Sequence, residues 1–521
     1  MKLRKYQEDA VEAIETGWSE YQKQLLVLPT GCGKTVVFSR VAQDRTQLGR
    51  VLILAHRDEL IEQARDKYHS LTGDYTAKEK ADESSIGSFL PVTVGSVQTM
   101  MRSSRLERFA QDHYKTVIVD EAHHSLADSY QNILNYFNAA DVLGVTATPD
   151  RGDRRGLGQY YDRIAYEYSL RQAVSEGYLC KLRARTVPLA INMDDIKVRV
   201  GDFEVNSIAE VLEPYLPEIA KSIKEYAGDR KTVVFLPLVS IAQEFCCILQ
   251  DIGLDAREVN GNSPDRKETI EWFDKAGPGS VLCNAMLLTE GWDCPSVDCV
   301  VVLRPTKIRS LYVQMIGRGT RPAPNKEDLL ILDFLWMSEK HDLCRPADLS
   351  TDDPEDRIAV ARSSETEEID LFDAASDAVE SRRRKLAEEL ARQTRKKSRL
   401  IDPLQWFVSI NDMELADYEP IFAWEKEPAT ERQIKLLEGA GISTEGMCKG
   451  QASMVINRVL NRRKQGLATA KQVMCLEKFG YNDVGQWPFE IAKRKIDELA
   501  ACGWKKWKLT TRPEDFIWIQ A

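Results

Sequence analysis

Short apolar runs recur along the first 150 residues, at 25–28, 51–55, 92–95, 117–119 and 142–145, each separated from the next by amphipathic or polar sequence long enough to hold a helix. A strand covered on both faces reads as an unbroken apolar run rather than an alternation. Strands spaced by helical stretches imply a parallel sheet with helices on either side. The pattern restarts at 232–236, 256–260, 280–284, 297–303 and 329–334, with residues 161–228 as its lead-in. The expectation is an α/β chain with two parallel-sheet domains in tandem, residues 1–150 and 151–345.

Beyond residue 345 the texture changes. Residues 351–377 carry ten acidic and two basic side chains, and 379–399 carry nine basic and three acidic. This stretch, 346–400, reads as a charged linker and helix. It is either solvated or, through runs such as Arg382-Arg383-Arg384-Lys385, set against nucleic-acid phosphates or its acidic neighbour. The tail, 401–521, is predicted as a small α-helical domain holding an internal repeat over 429–463 and 468–503. The signature Ala-Thr-x-x-Gln-x-x-x-Leu-Glu-x-x-Gly starts at Ala429 and again at Ala468. Each copy predicts a helix, a glycine stop, a loop and a second helix.

Composition narrows the class without choosing a function. An apolar share of 43% and a charged share of 29% over 521 residues are ordinary globular usage. The formal net charge of −10 does not favour a polyanionic partner on average, but local sign asymmetry matters more than the sum. No signal-peptide core and no run of about 18 apolar residues is present, so no membrane partner and a cytoplasmic location are expected. Eleven cysteines without a Cys-x-x-Cys pair, and six histidines, predict reduced thiols rather than structural zinc.

Candidate chemistry begins at residues 29–35, Pro-Thr-Gly-Cys-Gly-Lys-Thr, between an apolar run and a predicted helix. Glycines let successive backbone N–H groups curl toward a phosphate chain at the positive end of the helix. Thr30, Gly31 and Gly33 would form that cradle, Lys34 would reach the outer phosphates, and Thr35 would ligate Mg²⁺. The run at 117–119 ends in Asp120-Glu121-Ala122-His123-His124. Nucleotide hydrolysis calls for such a pair, one acid (Asp120) for the metal and the next (Glu121) to orient and deprotonate water. Gln314-Met315-Ile316-Gly317-Arg318-Gly319-Thr320-Arg321 places two arginines at i and i+3. On one helical face their planar, permanently charged forks would point together at a γ-phosphate; a solvated basic helix end is the alternative.

Taken in order, these segments resemble the superfamily 2 helicases of the DEAD/DEAH-box group, closest to the branch of RadD-type and restriction-enzyme-type motors. The resemblance spans residues 1 to about 340 and implies two RecA-like domains that bind ATP with Mg²⁺. It implies an adenine-contacting segment at Leu3-Arg4-Lys5-Tyr6-Gln7, with Gln7 pairing the base and Arg4 or Tyr6 packing nearby. Ala55-His56-Arg57 and Gly95-Ser96-Val97-Gln98 are similar to segments holding one strand by its phosphates, so His56, Arg57, Gly95, Ser96 and Gln98 are nucleic-acid candidates. Thr146-Ala147-Thr148, with His123, is similar to the motif coupling hydrolysis to domain movement. Thr289-Glu290-Gly291-Trp292-Asp293 resembles a segment facing both nucleotide (Gly291, Asp293) and strand (Thr289), although Trp292 is equally readable as packed core. Gln314, Arg318 and Arg321 are carried over as catalytic, with Lys34, Asp120 and Glu121. The zinc-type cysteine clusters of RadD-type proteins are missing from the sequence, and the tail repeat resembles short helical segments of phage-encoded proteins.

The resulting expectation is an ATP hydrolase that moves on nucleic acid, a DNA helicase or translocase. RNA as substrate, a duplex translocase, the motor subunit of a defence or restriction system, and a non-motor ATP-gated nucleic-acid sensor are the alternatives. A protein partner is expected through the C-terminal domain, if through any part.

Overall fold

In a computed structural model the described residues are 3–56, 58–147, 156–192, 196–199, 202–285, 292, 294–337, 343–393 and 401–505. Two compact units make up the chain, Met1–Ala375 and Ser376–Ala521. Among the described residues no helix is long and apolar enough to cross a membrane.

The first unit contains two seven-stranded sheets. Strands β1 (Lys23–Val27), β2 (Arg50–Ala55), β3 (Ala77–Glu79), β4 (Val92–Ser96), β5 (Tyr114–Asp120), β6 (Asp141–Thr146) and β7 (Arg163–Glu167) form the first, in the order β3-β4-β2-β5-β6-β1-β7. All of its pairings are parallel. Side-chain alternation along the buried strands divides them between two cores. Leu26, Leu28, Ile53, Ile118 and Val145 pack under helices α1 (Lys5–Gly17) and α2 (Lys34–Arg45) through Ala10, Ile14, Val37, Phe38 and Val41. Leu25, Val27, Leu52, Leu54, Val117 and Val119 face Ile133 and Phe137 on the other side.

Register aligns the strand ends. Val27 lies opposite Thr146, Asp120 opposite Val145, and Ala55 opposite Ser96. The carboxyl ends of β4, β2, β5, β6 and β1 therefore share one edge, where open α/β sheets bind their ligands.

Strand β7 corrects the expected boundary. Residues 163–167 lie in the segment read as the lead-in to the second domain, yet they pair with β1, so the first sheet extends past residue 150. Its sequence, Arg-Ile-Ala-Tyr-Glu, is only half-buried because it is an edge strand, and an edge strand leaves no continuous apolar run.

The second sheet comprises β8 (Lys181–Asn192), β11 (Thr232–Phe235), β12 (Asp255–Val259), β13 (Ser280–Asn284), β14 (Cys299–Val302), β15 (Asp328–Met337) and β16 (Ile369–Asp370), in the order β12-β13-β11-β14-β15-β8-β16. Only β16 is antiparallel, against β8. A two-stranded hairpin, β9 (Val198–Arg199) and β10 (Asp202–Phe203), precedes β11. The acid-rich stretch read as linker is folded onto this sheet. Helix Pro354–Thr366 is capped by the Asp353 carboxylate, which accepts from the amides of Glu355 and Asp356. In that helix Ser364 meets Thr186 of β8 through a buried hydroxyl pair at 2.9 Å.

In the second unit the repeat is visible as geometry. Helices Glu431–Ala440 and Ala470–Lys478 each begin with a reciprocal cap, Thr430 with Gln433 and Thr469 with Gln472. The same glutamines reach across to the helix that follows: Gln433 donates to the Lys449 carbonyl at 3.1 Å and Gln472 to the Phe489 carbonyl at 3.2 Å. Gly441 and Gly480 end their turns at φ of 96° and 94°. Each threonine–glutamine pair is thus scaffold, closing one helix hairpin. Two arginines of the basic run that precedes the tail are spent internally: Arg382 forms a fork on Asp417, and Arg383 pairs with Glu380 and Asp483.

One acid breaks the symmetry of the repeat. Glu438 is exposed, whereas its counterpart Glu477 is half-buried and accepts from Ser409 and Gln405. Burial pushes the Glu477 carboxyl up to about 7, against the opposing pull of those two donors. A carboxyl raised in the folded state binds its proton more tightly there than in the unfolded chain. Stability of this unit should therefore fall as pH rises from about 4.5 to about 7, and level off above. Glu477→Gln should remove that slope and raise the melting temperature at pH 8, followed through tryptophan emission, since Trp406 and Trp487 are buried in the same core. An unchanged slope would mean the carboxyl is not held neutral.

Candidate functional site

The loop between β1 and α2 is shaped by its glycines. Gly31 and Gly33 have φ of 91° and 78°, and Gly33 is the left-handed N-cap of α2. Lys34 and Thr35 then occupy the first turn, where free amides and the helix dipole favour an anion. The loop is held from behind. The Cys32 carbonyl accepts from the Tyr6 hydroxyl at 2.8 Å and from Gln7 Nε2 at 3.1 Å. Gln7 is buried, and its Oε1 accepts from the Arg4 amide at 3.0 Å, so one end of its amide caps the start of α1 while the other braces the loop. In this conformation Gln7 acts as a clamp on the loop backbone. Tyr6 stacks on Tyr168 with ring centroids 4.4 Å apart, and the Arg4 guanidinium lies over the Tyr178 ring. Tyr168 and Tyr178 carried no motif; the pairing of β7 with β1 is what delivers them.

Facing the loop, β5 ends at Asp120, whose Oδ1 accepts from the Glu121 amide at 3.0 Å. Glu121 takes a left-handed conformation, φ 51°, unusual for a residue with a side chain and typical of strained functional positions. Its carboxylate lies 3.6 Å from Lys34 Nζ and 3.4 Å from His123 Nδ1. Burial works against its ionisation, yet Lys34, His123, His124 and Arg318 together hold the carboxyl below the usual range. Arg318 belongs to the second sheet's half of the unit, so cations from both halves converge on this acid. Thr146 closes the row, buried at the end of β6, its carbonyl accepting from the Leu28 amide at 3.1 Å.

The arginine segment departs from expectation. The helix carrying Gln314 runs Arg309–Ile316 and stops; Arg318 and Arg321 lie on the turn beyond it, not on one helical face. Gly317 and Gly319 let that turn press against its neighbours: a Cβ on Gly317 would lie 2.5 Å from Thr30 Cγ2, and one on Gly319 2.4 Å from Leu329 Cδ1. Arg318 donates to the Trp292 carbonyl at 2.7 Å and to the Gln314 carbonyl at 3.3 Å. A Cβ built on Gly31 would meet Thr320 Oγ1 at 3.2 Å and Arg321 Cγ at 3.4 Å. The turn thus touches the phosphate-type loop directly. Trp292 is buried beside Phe273, in keeping with the packed-core reading.

Of the nucleic-acid candidates, three gather at the ends of β2 and β4. Ser96 donates to Gln98 Oε1 at 2.8 Å, and Gln98 Nε2 donates to the His56 carbonyl at 2.6 Å. The His56 ring stacks on His124, centroids 5.1 Å apart, which gives His124 a place between this cluster and the acidic pair. Gly95 lies inside the sheet against Leu52 and Met100 and serves packing instead. Arg57, Thr148, Thr289, Gly291 and Asp293 lie outside the described residues.

Comparison with known proteins matches the two halves separately. Residues 1–151 fit the family described as type III restriction enzyme, res subunit, and residues 215–323 fit the helicase conserved C-terminal domain. The two matched halves are thus similar to those of superfamily 2 helicases of the restriction-enzyme type. The Saccharomyces cerevisiae protein IRC3, which bears the name of an ATP-dependent helicase, is 32% identical over 372 residues, covering 64% of this chain and 52% of its own. A fragment of an HsdR subunit of a type I restriction enzyme from Vibrio vulnificus YJ016 shares the fold at TM-score 0.51 and 24% identity, covering 64% of each chain. So does the restriction-modification enzyme LlaBIII, at TM-score 0.55 and 15% identity, covering 96% of this chain and 40% of that one. The chain spans about half the length of the curated relatives it matches, 52% and 57% of the first two. In helicase terms, Lys34, Asp120 and Glu121 fall within the first matched segment and Gln314, Arg318 and Arg321 within the second.

The clamp on the loop is directly testable. Gly33→Ala would force a side chain into a left-handed backbone, at about 1–2 kcal/mol. Its Cβ would also lie 2.7 Å from Gln7 Nε2. A lower urea midpoint is expected, and an unchanged midpoint would show that the loop adopts another backbone conformation.

Proposed function

We propose that this protein is an ATP-driven motor on DNA, hydrolysing ATP in the cleft between its two sheets. The observation that carries the reading is the Glu121 carboxylate 3.6 Å from Lys34 of the phosphate-type loop, with the arginine turn of the other half pressed against Thr30 and Gly31 of that loop. A carboxylate kept ionised inside a water-poor cleft is equipped to take a proton from an attacking water. The arginine turn pressed on Thr30 and Gly31 is where charge would be needed on a transferring phosphoryl group.

In this reading Lys34 and the loop amides hold the phosphates, Glu121 orients and deprotonates water, and Arg318 and Arg321 stabilise the charge that develops on the leaving phosphate. Gln314 is buried at the end of the preceding helix, its carbonyl accepting from Arg318. Thr35 and Asp120, an oxygen donor at the helix start and another at the end of β5, are the hard ligands that suit Mg²⁺, which would neutralise phosphate charge there. Because the acid and the arginines come from different halves, opening or closing the cleft makes or breaks the site. That couples turnover to relative movement of the halves. His56, Ser96 and Gln98, at the same sheet edge, would hold a strand through its phosphates, with Thr146 and His123 between that surface and the nucleotide. DNA is preferred over RNA because the LlaBIII structure, similar in fold, is described as an ATP-dependent enzyme bound to DNA. Residues 376–521 are read as an accessory unit that directs the motor to a nucleic acid or protein.

Three sets of measurements test this reading. Lys34→Ala should lose ATP binding, whereas Glu121→Gln should bind ATP and lose turnover; near-normal turnover in Glu121→Gln would remove Glu121 from the role of base. Arg318→Ala and Arg321→Ala should each cut turnover, by up to roughly 10³-fold where the side chain acts as an arginine finger, with melting temperatures preserved. Turnover should be compared with single-stranded, duplex and forked DNA and with RNA. Stimulation by fork together with strand displacement identifies a helicase, by duplex alone a translocase, and by RNA alone would overturn the choice of DNA.

A further inference from the structure

The turn bearing Arg318 and Arg321 is fastened by a residue outside every segment singled out in the sequence. Lys326 follows Asn325, whose φ of 64° is left-handed for a residue with a side chain, and begins the approach to β15. Its ammonium donates to the carbonyls of Arg321 at 2.9 Å, Pro295 at 3.1 Å and Gly319. The carbonyl between the two on the turn, that of Thr320, accepts from the Cys180 amide at 2.8 Å. Three consecutive carbonyls of the arginine turn are therefore held, two of them by one cation. An ammonium offers three donors around a point, which fits three converging carbonyls; a planar guanidinium does not. Burial pulls the Lys326 ammonium below the ordinary lysine value, so enclosing this charge has a cost. Full hydrogen bonding of its protons offsets that cost.

We propose that Lys326 is a positioning residue for the arginine pair. It locks the backbone of the turn so that Arg318 and Arg321 stay aimed at the loop and the acidic pair. Through Pro295 it also ties the turn to the segment after Trp292, whose carbonyl holds Arg318. The inference rests on the nucleotide-cleft reading above and adds to it the device that preorganises the arginines, since small displacements of a catalytic group can cost about 10²-fold in rate.

The test uses the full chain. Lys326→Met keeps the apolar stem and removes the donors. DNA-stimulated kcat for ATP should fall roughly ten- to hundredfold, while KM for ATP and DNA affinity shift less than about twofold. In an Arg318→Ala/Arg321→Ala background the same change should add less than about twofold, because both side chains it aims are already gone. Independent, multiplicative losses would overturn the proposal, as would an unchanged kcat in Lys326→Met. If Arg318→Ala and Arg321→Ala leave turnover intact, the cleft reading fails and this inference falls with it. If they reduce turnover while Lys326→Met does not, only the positioning role fails. Should Lys326→Met not fold, Lys326→Gln, which keeps two N–H donors, is read in the same cycle by the same criteria.

Discussion

A buried carboxylate is the constraint on which the first unit turns. Enclosing an ionised Glu121 would be prohibitive unless positive charge came with it. Lys34 supplies it from the start of α2, 3.6 Å away, and Arg318 adds to it from the turn before β15. Each arrives through a different piece of backbone, so the loop after β1, the end of β5 and the turn after Gln314 must all be in register for the charge to be balanced. Electrostatics favours the ionised acid most through Lys34 of its own half, and only the smaller share from Arg318 is conditional on the two halves being together.

That conditionality needs stiff supports, and they are built from backbone groups. The Cys32 carbonyl is gripped by Tyr6 and Gln7, and the carbonyls of Gly319, Thr320 and Arg321 by Lys326 and Cys180. Glycines at 31 and 317 allow the two loops to approach where a Cβ would collide or come into tight contact, and those at 33 and 319 let the same loops seat against Gln7 and Leu329. The side chains expected to act on the nucleotide are thereby carried on segments whose own positions are fixed by hydrogen bonds to neighbours distant in sequence, which is what preorganisation requires.

The second unit follows a different logic. Its repeated Thr-x-x-Gln pattern is accounted for by helix caps and cross-links to the following helix, so the repeat specifies a hairpin built twice. The difference between copies, such as half-buried Glu477 against exposed Glu438, marks where the second hairpin packs on Ser409 and Gln405 of the preceding helix.

By itself the sequence determined the class and the chemistry: buried apolar runs specify parallel strands, and Gly-Cys-Gly-Lys-Thr, Asp-Glu and the paired arginines need particular atoms at particular spacings, so they leave local signatures. The helix, glycine stop and second helix of the tail were legible for the same reason. Tertiary structure alone decided the rest. Edge strand β7 is too exposed to show as an apolar run, and with it came Tyr168 and Tyr178. Arg318 and Arg321 share a turn rather than a helix because Gly317 and Gly319 pack on Thr30 and Leu329, contacts no spacing rule contains. Gln7 braces a carbonyl, and Lys326 gathers three, because any carbonyl in the chain is the same acceptor whatever its residue. Which carbonyls meet a given donor is set by long-range packing and is written nowhere in the local sequence.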